Sequence, residues 1–131
     1  MATNDSGSIR TPMSKVRHLG SARSGTQHAW RMRVTSLALL PLSIAFVWIV
    51  LGLIGKDHAT VRAALGHPFA AIVMLLFVPT AVYHMMLGMQ TIIEDYVHGE
   101  HAKSWSLMAN MFFCAVVGLA CVYAILRLSF I

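Results

Sequence analysis

The chain has 131 residues, 57% of them hydrophobic and only 11% charged, with a formal net charge of +5 at pH 7. An ordinary soluble domain carries about 25% charged residues, and here the charges are also segregated: none falls in 34–55, 63–93 or 104–126, which together make 76 positions. One small soluble fold cannot cover that much apolar surface, so a soluble enzyme, a secreted disulfide scaffold and a disordered tail are excluded, and the chain reads as an integral membrane protein.

Residues 1–33 form a basic N-terminal arm with Arg10, Lys15, Arg17, Arg23, Arg31 and Arg33. It lacks the apolar core of a secretory signal peptide. It is acid-poor, as mitochondrial transit peptides are, but its Asp5 and Gly/Ser content suit a solvated arm, flexible to about residue 27. Six scattered charges beside a membrane span serve orientation and contact with anionic lipid better than nucleic-acid binding.

About 20 apolar residues cross a bilayer as a helix. The domain 34–131 holds three such spans, at about 34–55, 68–93 and 105–127, so the predicted fold is an all-α membrane protein. Period-two alternation is absent, which argues against barrel strands. Pro68 stands where a first-turn proline starts a helix. Of the basic residues beside the spans, seven lie on the side of the N-terminus and the 94–104 loop, counting Lys103. Three (Lys56, Arg62 and Arg127) lie on the other. The N-terminus is therefore expected to be cytoplasmic. Cys114 and Cys121 lie seven apart on one helix face, too far for a disulfide, and read as packing residues. Ser36 and Ser43 on the first span, and Asn110, Cys114, Gly118 and Cys121 on the third, read as packing seams.

The second span carries one narrow stripe: Thr80, Ala81, His84, Gly88, Thr91 and Asp95. His84 lies well inside the hydrocarbon region, where an ionisable group is costly and faces a partner, cavity or cofactor. Three readings compete for it: a neutral imidazole hydrogen-bonded across a helix interface, a proton relay, or an axial haem ligand with Gly88 one turn away. A proton relay lacks further deep ionisable groups. Ligation by two histidines would need a second chain, because the other six histidines lie outside the predicted spans. At the span's end, Tyr96 reads either as an interfacial anchor or, with its neighbouring carboxylate, as a quinone-carbonyl partner.

The run His84-x-x-x-Gly88-Met89, followed by Asp95-Tyr96-Val97, resembles the hydrophobic membrane anchor of succinate dehydrogenase, respiratory complex II. The stretch from Arg10 to Thr26, with His28-Ala29-Trp30-Arg31-Met32-Arg33-Val34-Thr35 after it, is similar to the N-terminal arm of the alphaproteobacterial form. The resemblance covers about residues 10–131. It implies pairing with a second three-helix subunit, the cytochrome b556 (C) subunit, with haem b between them and one histidine ligand from each. His84 matches the ligand supplied by the anchor, so the metal it would hold is the haem iron. Tyr96 matches the tyrosine that hydrogen-bonds ubiquinone, with Asp95 its neighbour there.

The resemblance further implies an iron–sulfur subunit and a flavoprotein subunit, which hold the iron–sulfur clusters and FAD, so this chain is non-catalytic. Electrons would pass from succinate to quinone on the cytoplasmic side of a bacterial inner membrane; the alternative location is the mitochondrial inner membrane. Trimers of the whole complex occur in the family. Arg33 or Arg31 is a candidate partner of a haem propionate, and His28 a candidate member of that polar cluster. The rival readings are a haem-free or fumarate-reductase-type anchor and a small transporter or scaffold subunit.

Overall fold

The structure, a computed structural model, describes residues 24–130; the remainder of the basic arm, and with it most of the segment expected to be flexible, lies outside the described residues. Four helices follow in chain order: α1 (Ser24–Leu53), α2 (His58–Gly66), α3 (Pro68–Tyr96) and α4 (Glu100–Phe130). No strand occurs among them. Of the four, α1, α3 and α4 are long and apolar enough to cross a membrane.

Each long helix outruns its apolar stretch. The first begins at Ser24, so the last ten residues of the predicted arm, Arg31 and Arg33 included, are helical. Hydropathy marks only the part of a helix that lies in hydrocarbon, whereas backbone hydrogen bonding carries the helix on into the headgroups. The predicted 94–104 loop shrinks to Val97–Gly99, because α3 runs on to Tyr96 and α4 starts at Glu100. Glu94 and Asp95 stand at the C-terminal end of α3, against its dipole. Lys103 of α4 offsets this by donating from Nζ to the Glu94 carbonyl at 2.7 Å.

The predicted 56–67 loop contains α2, a helix that hydropathy does not reveal. Its signals are local. Asp57 caps the N-terminus, accepting from the Thr60 backbone N–H and hydroxyl, and the run Ala59–Leu65 favours helix. These bonds hold the Asp57 carboxyl below the ordinary range for aspartate. Gly55 turns the chain between α1 and α2 with φ +75°, a conformation that favours glycine. Pro68 stands in the first turn of α3 as predicted, and the His67 imidazole accepts from the Phe69 N–H at 3.3 Å.

In the three-span arrangement α3 is central, with α1 packed on one side and α4 on the other. The half-buried positions of α1 include a row spaced by three and four, His28, Met32, Thr35, Leu39, Leu42, Phe46, Ile49 and Leu53, with Ser43 and Ala45 beside it. This is the seam expected of helices crossing at a shallow angle. Phe46 stacks on Phe77 across it, with ring centroids 4.5 Å apart. The seam departs from the expectation for Ser36, which is exposed and returns its hydroxyl to the Met32 carbonyl; Ser43 is half-buried and also borders an open apolar groove with Trp48 and Leu51. On α4 the expected seam holds. Asn110 Nδ2 donates to the Met86 carbonyl at 3.0 Å, Cys114 is buried, and Gly118 lies against Val82. Both cysteines are free thiols.

Candidate functional site

The polar stripe of α3 meets α1 at His84, Gly88 and Thr91. Thr35 Oγ1 lies 2.8 Å from His84 Nδ1. The same oxygen is 2.9 Å from the Arg31 carbonyl and 3.0 Å from that of Met32. A threonine hydroxyl has one hydrogen. Where that hydrogen goes to the helix's own carbonyls, Thr35 accepts from the imidazole, and a neutral ring in that tautomer has its proton on Nδ1 and its lone pair on Nε2.

Nε2 makes no hydrogen bond among the described residues. It is also not sealed in, since no enclosed side-chain nitrogen or oxygen lacks a partner. His84 stands twelve residues, about 18 Å, from the Tyr96 end of α3. The result is an imidazole at mid-span, oriented through one nitrogen and open at the other. This is how a protein prepares a histidine to ligate a metal.

A second bridge of the same kind lies seven residues along each helix. His28 Nε2 is 3.1 Å from Thr91 Oγ1, and Thr91 returns its hydrogen to the Leu87 carbonyl at 3.2 Å. The helices are antiparallel, so the pairs run in opposite senses: α1 gives histidine then threonine, and α3 gives histidine then threonine to meet them. Between the bridges Gly88 faces Met32, whose Cε is 4.0 Å from where a Cβ would stand. The space over that glycine is thus bordered by a flexible thioether.

The remaining candidates are not drawn into this cluster. Arg31 and Arg33 are exposed on the first turns of α1. Only the Arg31 backbone carbonyl reaches the site, through Thr35. Asp95 and Tyr96 close α3 and are exposed, Tyr96 at 77%. A ligand contacting that end would meet an unhindered phenol beside a carboxylate. Thr35 has the largest role that sequence reasoning passed over. Its signal was weak: a polar residue just inside the first span, with nothing to show which face α1 turns toward α3. No group of three or more metal-binding side chains occurs among the described residues, so a metal at His84 would take its other protein ligand from elsewhere.

Three apolar spans, one of them holding a histidine at mid-depth, define the class as a multi-pass membrane protein with an ionisable side chain in its hydrocarbon layer. Residues 8–122 match the model of the succinate dehydrogenase/fumarate reductase transmembrane subunits, and the chain belongs to that family. Within it, the chain is 36% identical over 119 residues to the succinate dehydrogenase hydrophobic membrane anchor subunit of Paracoccus denitrificans, covering 91% of this chain and 92% of that one. It is 30% identical over 117 residues to the corresponding subunit of Rickettsia bellii (strain RML369-C), covering 89% and 94%. It is 31% identical over 96 residues to the succinate dehydrogenase membrane anchor subunit of Reclinomonas americana, covering 71% and 80%. None of the solved structures matches it significantly. The spans and the family together make this a multi-pass membrane protein.

Proposed function

We propose that this chain is the non-catalytic anchor of a succinate:ubiquinone oxidoreductase, supplying one axial ligand of haem b through His84 and part of the ubiquinone site through Tyr96 and Asp95. The observation that carries the haem reading is the Thr35–His84 contact. In the tautomer where Thr35 accepts from Nδ1–H, Nε2 carries the lone pair that iron would take, and Nε2 makes no hydrogen bond among the described residues. The donor set fits half of a two-histidine site. The other imidazole belongs to a partner of the cytochrome b556 type, since His28 is engaged by Thr91 and lies about 10 Å away along the helix. When bound, the haem would supply one-electron chemistry.

The chain's own residues bind and orient. His84 holds the iron, Thr35 holds His84, and the Tyr96 hydroxyl donates to a quinone carbonyl with the Asp95 carboxylate beside it. Arg33 or Arg31, at the mouth of α1, is suited to a propionate. His28 serves the α1–α3 contact instead. The flavin and iron–sulfur clusters belong to the flavoprotein and iron–sulfur subunits. The charge asymmetry of the flanking segments supports a cytoplasmic N-terminus in a bacterial inner membrane.

The test is a reduced-minus-oxidised visible spectrum of the detergent-purified complex, tagged on this chain. The wild type is expected to show haem b, and His84→Ala to lose or displace it. An unchanged spectrum in the variant refutes the ligand assignment.

A further inference from the structure

Away from the stripe, at the end of the molecule opposite Tyr96, two helices turn basic faces toward each other. His58, Arg62 and Gly66 follow at four-residue intervals along one face of α2, and Tyr123 and Arg127 follow at the same interval on α4. Two adjoining cavities, of about 420 and 500 Å³, lie between these faces. His58, Arg62 and Leu128 line both, and Tyr123 and Arg127 line the first. No carboxylate lines either one among the described residues. The nearby Asp57 is engaged by Thr60 at the start of α2.

The groove is held in shape. At Gly66 a Cβ would stand 2.8 Å from the Leu128 backbone oxygen, so α2 is seated against the backbone of α4 one turn beyond Arg62. Two guanidinium groups brought to one rigid groove with no carboxylate lining it among the described residues leave a site of positive potential, and the planar forks of arginine suit phosphate oxygens. The depth matches as well. Arg127 closes the charge-free stretch 104–126, and α3 enters its own apolar run just beyond α2. The groove therefore stands at the level of lipid headgroups, with Leu128 beside it and the apolar flank of α4 below.

We propose that this groove binds the phosphate headgroup of an anionic phospholipid in the leaflet at the Lys56–His67 end. The two arginines and the Tyr123 hydroxyl hold the phosphate, and the acyl chains run down α4. A soluble anion would gain nothing from the apolar flank, and a membrane-depth groove meets lipid by default.

The full chain, tagged and purified with the subunits it carries, is delipidated and titrated separately with short-chain phosphatidylglycerol, phosphatidylcholine and inorganic phosphate. Bound lipid is read by native mass spectrometry and anion binding by the melting temperature. Phosphatidylglycerol is expected to bind saturably, and Arg62→Gln/Arg127→Gln to weaken it by about thirty-fold, while Arg62→Lys/Arg127→Lys keeps most of the affinity. Should the glutamine double variant not accumulate, Arg127→Gln alone is expected to give about a five-fold loss. Equal binding of phosphatidylcholine, equal stabilisation by inorganic phosphate, or glutamine variants as tight as wild type would each overturn the proposal. Loss of another subunit from the glutamine variant would overturn it in favour of a protein carboxylate in the groove.

Discussion

The Thr35 hydroxyl on α1 and the His84 imidazole on α3 meet at 2.8 Å, and the same hydroxyl is committed to the carbonyls one turn back on its own helix. The contact occupies Nδ1 and so leaves Nε2 as the open nitrogen of His84. The position of one small polar side chain, 49 residues away in sequence, thus sets the chemistry available at mid-membrane.

Thr35→Val keeps the shape and removes the acceptor. On the proposed function, haem affinity is expected to fall by about 10–100-fold, the usual loss when the partner of a ligating histidine is removed. The haem midpoint potential is expected to shift, and Thr35→Ser to restore both. Haem retention on dilution and a potentiometric titration measure this. A stability loss with unchanged haem affinity and potential would make Thr35 a packing residue only.

The His28–Thr91 bridge stabilises the α1–α3 contact. A double-mutant cycle with His28→Leu and Thr91→Val is expected to give a coupling of about 0.6 kcal/mol, the average for such bonds between membrane helices. Unfolding of the reconstituted complex reads it. Haem content is expected to stay at the wild-type level in both single variants, and its loss in His28→Leu would return His28 to the cofactor site.

Tyr96→Phe removes one exposed hydroxyl and leaves the fold intact. Quinone reduction is expected to fall about five- to tenfold, the worth of one hydrogen bond. Dye-coupled succinate oxidation by the detached soluble subunits stays unchanged. Wild-type quinone kinetics would remove Tyr96 from the site.

Two glycine substitutions separate contact from open surface. Gly66→Ala places a Cβ against a backbone oxygen that cannot rotate away, and is expected to cost about 1–3 kcal/mol. Gly52→Ala, with nothing within 4 Å, is expected to be neutral or stabilising. Melting temperatures of the two variants side by side make the comparison.

Most of the architecture was legible in the chain itself. The lipid-facing requirement writes three spans into composition, Pro68 marks where α3 starts, and the stripe from Thr80 to Asp95 marks its one polar face. The extra turns of α1 and α4 and the short α2 were not legible in the same way. They lie outside hydrocarbon, where capping by Asp57 and packing of Gly66 replace hydropathy as the cause.

What only the tertiary structure decided is which residues meet the stripe. Helix α1 is almost without amphipathic bias, and lipid tails are as apolar as a protein seam. Periodicity therefore cannot tell the face that packs on α3 from the face that meets lipid. That choice put Thr35 and His28 in the seam, left Ser36 outside it, and gave His84 its partner. The sequence by itself determined that a histidine must be accommodated at mid-span. The packing of α1 on α3 determined which of its two nitrogens is free to act.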